Sequence, residues 1–163
     1  MKVARVGIIA TAVLAVATMA FAQKTDFSGT WTIDASQSQM GGGGGQGGGG
    51  GRQGGGAAAP MVVKQTADAL TIERTMGDNK VTTTYKLDGT ESKNTMTARG
   101  GQTMESTSTA KWDGAKLVIT SKRQGPEGNA IETTETWSLA GDVLTIEGTS
   151  ARGTTKRVYK KTT

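Results

Sequence analysis

Leu117-Val118-Ile119-Thr120, Gln124-Gly125-Pro126-Glu127-Gly128-Asn129 and Ile131-Glu132-Thr133-Thr134-Glu135-Thr136-Trp137-Ser138-Leu139 follow one another within residues 115–140. An apolar run, a Gly/Pro loop and a run that sets every second residue on one face together read as a β-hairpin. The plan recurs on both sides. Upstream it is Leu70-Thr71-Ile72-Glu73-Arg74, Gly77-Asp78-Asn79 and Val81-Thr82-Thr83-Thr84-Tyr85-Lys86-Leu87. Downstream it is Leu144-Thr145-Ile146-Glu147, Ala151-Arg152-Gly153 and Thr154-Thr155-Lys156-Arg157-Val158-Tyr159.

The turns around these hairpins are chemically explicit. Asp88-Gly89 and Asp113-Gly114 suit the φ > 0 positions of type I′ turns, and Gly77-Asp78-Asn79, Gly100-Gly101 and Gly141-Asp142 are equally permissive. No helical period is sustained after Pro60. From Met61-Val62-Val63-Lys64-Gln65-Thr66 onward the pattern predicts about nine strands of roughly six to ten residues. One earlier strand, Asp26-Phe27-Ser28-Gly29-Thr30-Trp31-Thr32-Ile33, alternates strictly and puts Phe27, Gly29, Trp31 and Ile33 on one face. Gly29 in that strand marks a bulge or a close approach by another backbone.

Short, uniform connections make consecutive strands neighbours. The predicted class is therefore all-β, an up-and-down antiparallel meander closed into a small barrel of about eight to ten strands, because closure removes the two edges of a long meander. A flat or curled single sheet would leave one apolar face uncovered.

Residues 1–22 carry Lys2 and Arg5, an apolar run from Val6 to Ala20 and small residues at Ala20-Phe21-Ala22, the pattern of a secretory signal peptide. The run is shorter than the roughly 20 apolar residues of a membrane span, which disfavours an uncleaved anchor. The expected mature chain is one domain, 23–163, exported to the periplasm or the exterior, with no transmembrane span. It has no Cys, so neither disulfides nor a lipobox cysteine is available. Removing Lys2 and Arg5 from the 19 basic residues leaves 17 against 14 acidic ones, a net charge of +3. That excess is too small and too interspersed for nucleic acid; it permits a weak contact with an anionic envelope surface, beside the plainer reading of a solvated mixed surface.

Between 36 and 59 the composition turns to glycine, broken by Met40, Gln46, Arg52 and a short Ala run. No core can form from it, so it reads as a disordered insertion reaching about 25–30 Å end to end. It has one Arg, against the many of an RNA-binding Gly/Arg segment, and lacks the Gly-Lys-Ser/Thr ending of a P-loop.

Period two sorts each strand by face. The inward set includes Leu70, Ile72, Arg74 and Met76; Val81, Thr83, Tyr85 and Leu87; and Ser92, Asn94, Met96 and Ala98. It continues with Met104, Ser106, Ser108, Ala110 and Trp112; Leu117, Ile119, Ser121 and Arg123; and Ile131, Thr133, Glu135, Trp137 and Leu139. Leu144, Ile146, Arg157 and Tyr159 complete it. Large residues gather toward one end of each hairpin, while residues 90–112 offer mostly small ones. Glu135 and Arg157 occupy the position of Thr83 when the repeats are aligned on Tyr85, Trp137 and Tyr159, so the interior holds charge that needs partners. One reading is a structural plug in which Glu135 pairs with Arg157, Arg74 or Arg123. The other is a site for an anionic, fatty-acid-like ligand whose carboxylate meets an inward Arg while its tail lies on Met96, Met104 and the aromatics. The candidate lining is Trp31, Arg74, Tyr85, Met96, Met104, Trp112, Arg123, Glu135, Trp137 and Arg157.

The triplet Gly29-Thr30-Trp31, at the first strand of a predicted barrel, resembles the Gly-x-Trp signature of lipocalins and of small secreted bacterial lipocalin-like proteins. The resemblance implies a calycin-type barrel with Trp31 closing one end and a basic residue of the last strand packed across it, Arg157 first and Lys156 second. It implies ligand binding or an envelope role and supplies no substrate. The chain departs from the family in its Gly-rich insertion, in lacking a flanking helix and in lacking disulfides.

The chain has no His and no Cys, which excludes Ser-His-Asp and Cys-His chemistry and the commonest zinc sites. Glu132 and Glu135 fall on opposite faces of one strand, and Asp78, Asp88, Asp113 and Asp142 are explained by turns. The spacing of a calcium loop is absent. The expectation is a non-enzymatic protein with no catalytic residues, metal or cofactor.

Overall fold

The computed structural model describes residues 24–39, 59–76, 79–97, 103–125 and 128–162. The expected signal peptide and most of the glycine-rich segment lie outside them. Ten strands follow: β1 (Gly29–Ile33), β2 (Met61–Gln65), β3 (Ala69–Met76), β4 (Asn79–Lys86), β5 (Glu91–Thr97), β6 (Thr103–Asp113), β7 (Lys116–Gln124), β8 (Ala130–Ala140), β9 (Val143–Ser150) and β10 (Gly153–Thr162). They form one antiparallel sheet in the order β4-β3-β2-β1-β10-β9-β8-β7-β6-β5, a nearly closed barrel. No helix occurs among the described residues, and none there could cross a membrane.

The three repeated hairpins are β3–β4, β7–β8 and β9–β10, and each repeats the same facing pairs. Leu70 stands opposite Tyr85, Leu117 opposite Trp137, and Leu144 opposite Tyr159. Two residues further along, Ile72 faces Thr83, Ile119 faces Glu135, and Ile146 faces Arg157. Aromatic–aliphatic pairs of this kind stabilise an antiparallel sheet by about 0.2–1 kcal/mol each, and burial adds more. On the outer face Thr120 and Thr134, and Thr71 and Thr84, pair hydroxyl to hydroxyl across neighbouring strands, where β-branched residues fit the pleat.

The closure differs from a continuous meander at one place. The first and last strands are laddered, with Trp31 opposite Lys161, but β4 and β5, consecutive in sequence, are the two ends of the hydrogen-bonded order. Side chains stitch them instead. Asn94 of β5 accepts the Thr84 N–H at 2.8 Å and donates to the Thr84 carbonyl at 2.9 Å, and Ser92 Oγ accepts the Lys86 N–H at 2.8 Å. Ser92 and Asn94, expected to point to the lumen, thus serve the seam.

The start of the glycine-rich segment is built onto the barrel. Asp34 accepts hydrogen bonds from Ser36 and Gln37, Ser38 Oγ accepts the Val158 N–H, and Gln39 forms an isolated bridge with Lys156. Lys160, then Ser36, hold the Asp34 carboxyl well below the usual carboxylate range. Residues 36–39, assigned by composition to the insertion, therefore continue the ordered chain past β1. Residues 40–58 lie outside the described set.

Candidate functional site

One end of the lumen is solid. Phe27, Trp31, Leu117, Trp137 and Leu144 are all 0% exposed. Phe27 stacks on Trp112 at 6.0 Å between ring centres and meets Trp137 edge-on at 5.8 Å, the offset and T-shaped geometries that aromatic rings favour. The chain before β1 is drawn across this end: Gln65 Oε1 accepts the Phe27 N–H and its amide donates to the Thr25 carbonyl, while Thr25 Oγ1 donates to the carbonyl of Ala115. Trp31 donates its indole N–H to the Phe27 carbonyl at 3.0 Å.

The basic residue over Trp31 is Lys161, whose ammonium lies 5.6 Å from the ring centre. Arg157 and Lys156, expected in that role, do not fill it. Register decides the matter, since Lys161 is directly opposite Trp31 whereas Arg157 is opposite Ile146. Gly29 is the close-approach position its sequence suggested, at φ +148°, but the neighbour is a side chain: a Cβ there would lie 2.8 Å from Lys161 Cε.

Above this plug the interior becomes polar. Arg157 donates to Glu135 in a charge-assisted hydrogen bond, with the two side chains 18% and 23% exposed. They sit two strands apart. The β9 residue opposite Glu135 is Gly148, which has no side chain to separate them, and a Cβ there would come within 2.6 Å of Thr155 Oγ1. Burial is the largest single influence on Arg157 and would lower its pKa, but the Glu135 charge together with Tyr159 and the hydrogen bonds to both outweighs it, and the net shift is upward. Arg157 Nε is buried with no hydrogen-bond partner among the described residues. Glu135 also accepts from Trp137 Nε1 at 3.3 Å.

Beside this pair lies a cavity of about 190 Å³ lined by Ile72, Arg74, Val81, Thr83, Tyr85, Met96 and Glu135. Among the described residues Arg74 has no carboxylate within ion-pair distance; its guanidinium instead rests 3.2 Å from Met61 Sδ. Tyr85 is pushed up to about 12, by burial first and by the Glu135 carboxylate second. Two cations and one carboxylate leave this chamber with a single excess positive charge. A larger depression of about 550 Å³ at Thr32–Ser36 and Lys160–Thr162 is an open surface hollow, without the enclosure that makes a charge selective.

Of the ten candidate lining residues, Arg74, Tyr85, Met96 and Glu135 line the cavity, and Arg157 adjoins it through Glu135. Trp31, Trp112 and Trp137 belong to the core end. Met104, opposite Met96, is half-buried and outside the lining. Arg123 keeps the inward register, opposite Ser106 and Ile131, but lies at the rim and is exposed. The sequence reading missed Lys161, Gln65 and Asn94. Lys161 carried a signal, the register implied by pairing the first strand with the last; Gln65 and Asn94 did not, because an amide's use depends on which backbone it meets.

No family model matches the chain, and no curated protein matches it. Solved structures do. The chain is similar to the REP1-NXSQ fatty acid transporter, at 16% identity and TM-score 0.56 over 83% of this chain and 96% of that one. It is similar also to a secretory abundant heat soluble protein from Ramazzottius varieornatus, at 18% identity and TM-score 0.56 over 83% and 95%, and to a variant of the fluorescent protein UnaG, at 23% identity and TM-score 0.56 over 84% and 96%. At such identities the likeness concerns the fold, and by fold this chain is a ten-stranded calycin-like barrel.

Proposed function

We propose that the protein is an exported, non-enzymatic binding protein that holds one small amphipathic molecule with an anionic head in its lumen. The observation that carries the reading is the cavity of about 190 Å³ in which Arg74 stands beside Ile72, Val81 and Met96 with no carboxylate of its own among the described residues. A guanidinium in a confined space favours a carboxylate or sulfonate, and the apolar wall favours a hydrocarbon tail. The volume fixes the scale: it exceeds the roughly 150 Å³ that admits benzene and falls short of the roughly 300 Å³ where drug-sized pockets begin. A slim single chain fits, and a fused ring system does not. The name of one structural neighbour, a fatty acid transporter, agrees with this chemistry. The protein would act after removal of residues 1–22, in the periplasm or outside the cell.

A second reading is favoured by the Glu135–Arg157 pair and the aromatic plug, which together fill much of the lumen: a barrel that works through its outer surface. Calorimetric titration with octanoate and with octanol separates the two. Lumen binding predicts octanoate uptake that falls at least about tenfold in Arg74→Met, with weak octanol binding unchanged. A protein that takes up neither, and carries no small molecule by native mass spectrometry from its own source, favours the surface reading.

A further inference from the structure

We infer that the β4–β5 seam is the passage through which the ligand enters and leaves the lumen, and that Asn94 is the latch that sets its rate; this rests on the lumen reading above. The remaining strand neighbours are joined by backbone ladders that would have to unzip. At the seam, from the turn after Leu87 as far as Thr84, three side-chain bonds replace the ladder. Beyond Thr84, toward Asn79 and Met96, no such stitch exists among the described residues. The cavity lies directly behind that opening: Val81, Thr83 and Met96 line it, and Met96 is also 40% exposed. One residue is therefore both cavity wall and outer surface, as a residue at a mouth must be. The plugged end offers no alternative, since Phe27, Trp31 and Trp137 are fully buried there.

Asn94 stands at the boundary between the stitched and open parts. Its amide imitates a strand peptide, accepting from the N–H of Thr84 and donating to its carbonyl. A rotation of this one side chain releases both bonds and lengthens the slit, and the freed groups of Thr84 are solvated at once because the contact is exposed. Ser92, 6% exposed and bonded to Lys86 N–H, stays closed and limits the slit's length. A slit between two strands admits an extended chain end-on and rejects broad rings, so the seam selects the same slim acids as the cavity.

The test uses octanoate as probe, with stopped-flow intrinsic tryptophan fluorescence for rates and amide hydrogen exchange for the latch. In Asn94→Ala, association and dissociation rates should both rise by about tenfold, the factor equal to ~1.4 kcal/mol and a typical loss for two such bonds, while Kd stays within about twofold. Exchange at the Thr84 amide should rise by a similar factor, with β7–β8 amides unchanged. Ser92→Ala should speed the Lys86 amide and leave the rates within about threefold. Unchanged rates in an Asn94→Ala protein that still binds probe overturn the passage while sparing lumen binding. A Thr84 amide that is equally protected in that variant overturns the latch whether or not probe binds. A wild-type barrel that binds no probe overturns the lumen reading and the passage with it.

Discussion

The two halves of the barrel interior are made of opposite materials. Toward the turn at Gly141 the lumen is packed with Phe27, Trp31, Trp112, Trp137, Leu117 and Leu144; toward the Gly125–Asn129 loop it holds Arg74, Glu135, Arg157 and space. The strands are the same strands and the hairpins the same repeats. Only height along the axis differs, and it separates the part that supplies stability from the part that offers chemistry.

If that division is right, truncation should be severe at one end and mild at the other. Trp137→Ala should cost about 3–5 kcal/mol in denaturant unfolding, because a fully buried indole leaves a cavity among rigid neighbours; a loss below about 1 kcal/mol would break the comparison. Arg157→Leu comes next. It strands Glu135, and because both side chains keep some exposure the cost should be about 2 kcal/mol, less than for a sealed pair. The double variant Arg157→Leu with Glu135→Leu should recover most of it, and a double variant no better than the single one would mean that packing, not charge, was lost.

A smaller effect sharpens the boundary itself, where Tyr85 sits. In Tyr159→Phe, Tyr85 is the one tyrosine left, so ultraviolet titration of tyrosinate should show a midpoint near 12 in place of the ordinary 10. The sign follows from the raised value: the native state holds the phenol proton more tightly than the unfolded chain. Its contribution to stability is complete below pH 10 and disappears as pH rises through about 12. Tyr85→Phe should remove that alkaline loss; a midpoint at 10 would place Tyr85 in water. Least of all, Met96→Ala should change stability by less than about 1 kcal/mol, since the side chain is 40% exposed.

Much of the division was legible in the sequence, because period two assigns faces and the Leu–aromatic spacing of three hairpins carries the register with it. Tyr85, Trp137 and Tyr159 align in the sequence and face equivalent leucines in space. That Glu135 would need an arginine was also readable, but not which one. Arg74 and Arg123 share its inward face, and the partner is Arg157, two strands away across β9, where Gly148 stands opposite Glu135. Arg123 is lost to solvent because face says nothing of height. The seam was invisible for a related reason: alternation describes each strand alone, whereas the join between the sheet's two ends depends on how far twist carries them together.

The bridge between Gln39 and Lys156 has a consequence for engineering. Gln39 and Lys156 exchange both backbone hydrogen bonds, at 2.7 and 2.8 Å, and Asp34 holds the turn that leads to them. A foreign epitope or affinity tag grafted between Ile33 and Gln39 would have to break both, so that short stretch is a poor place to insert one.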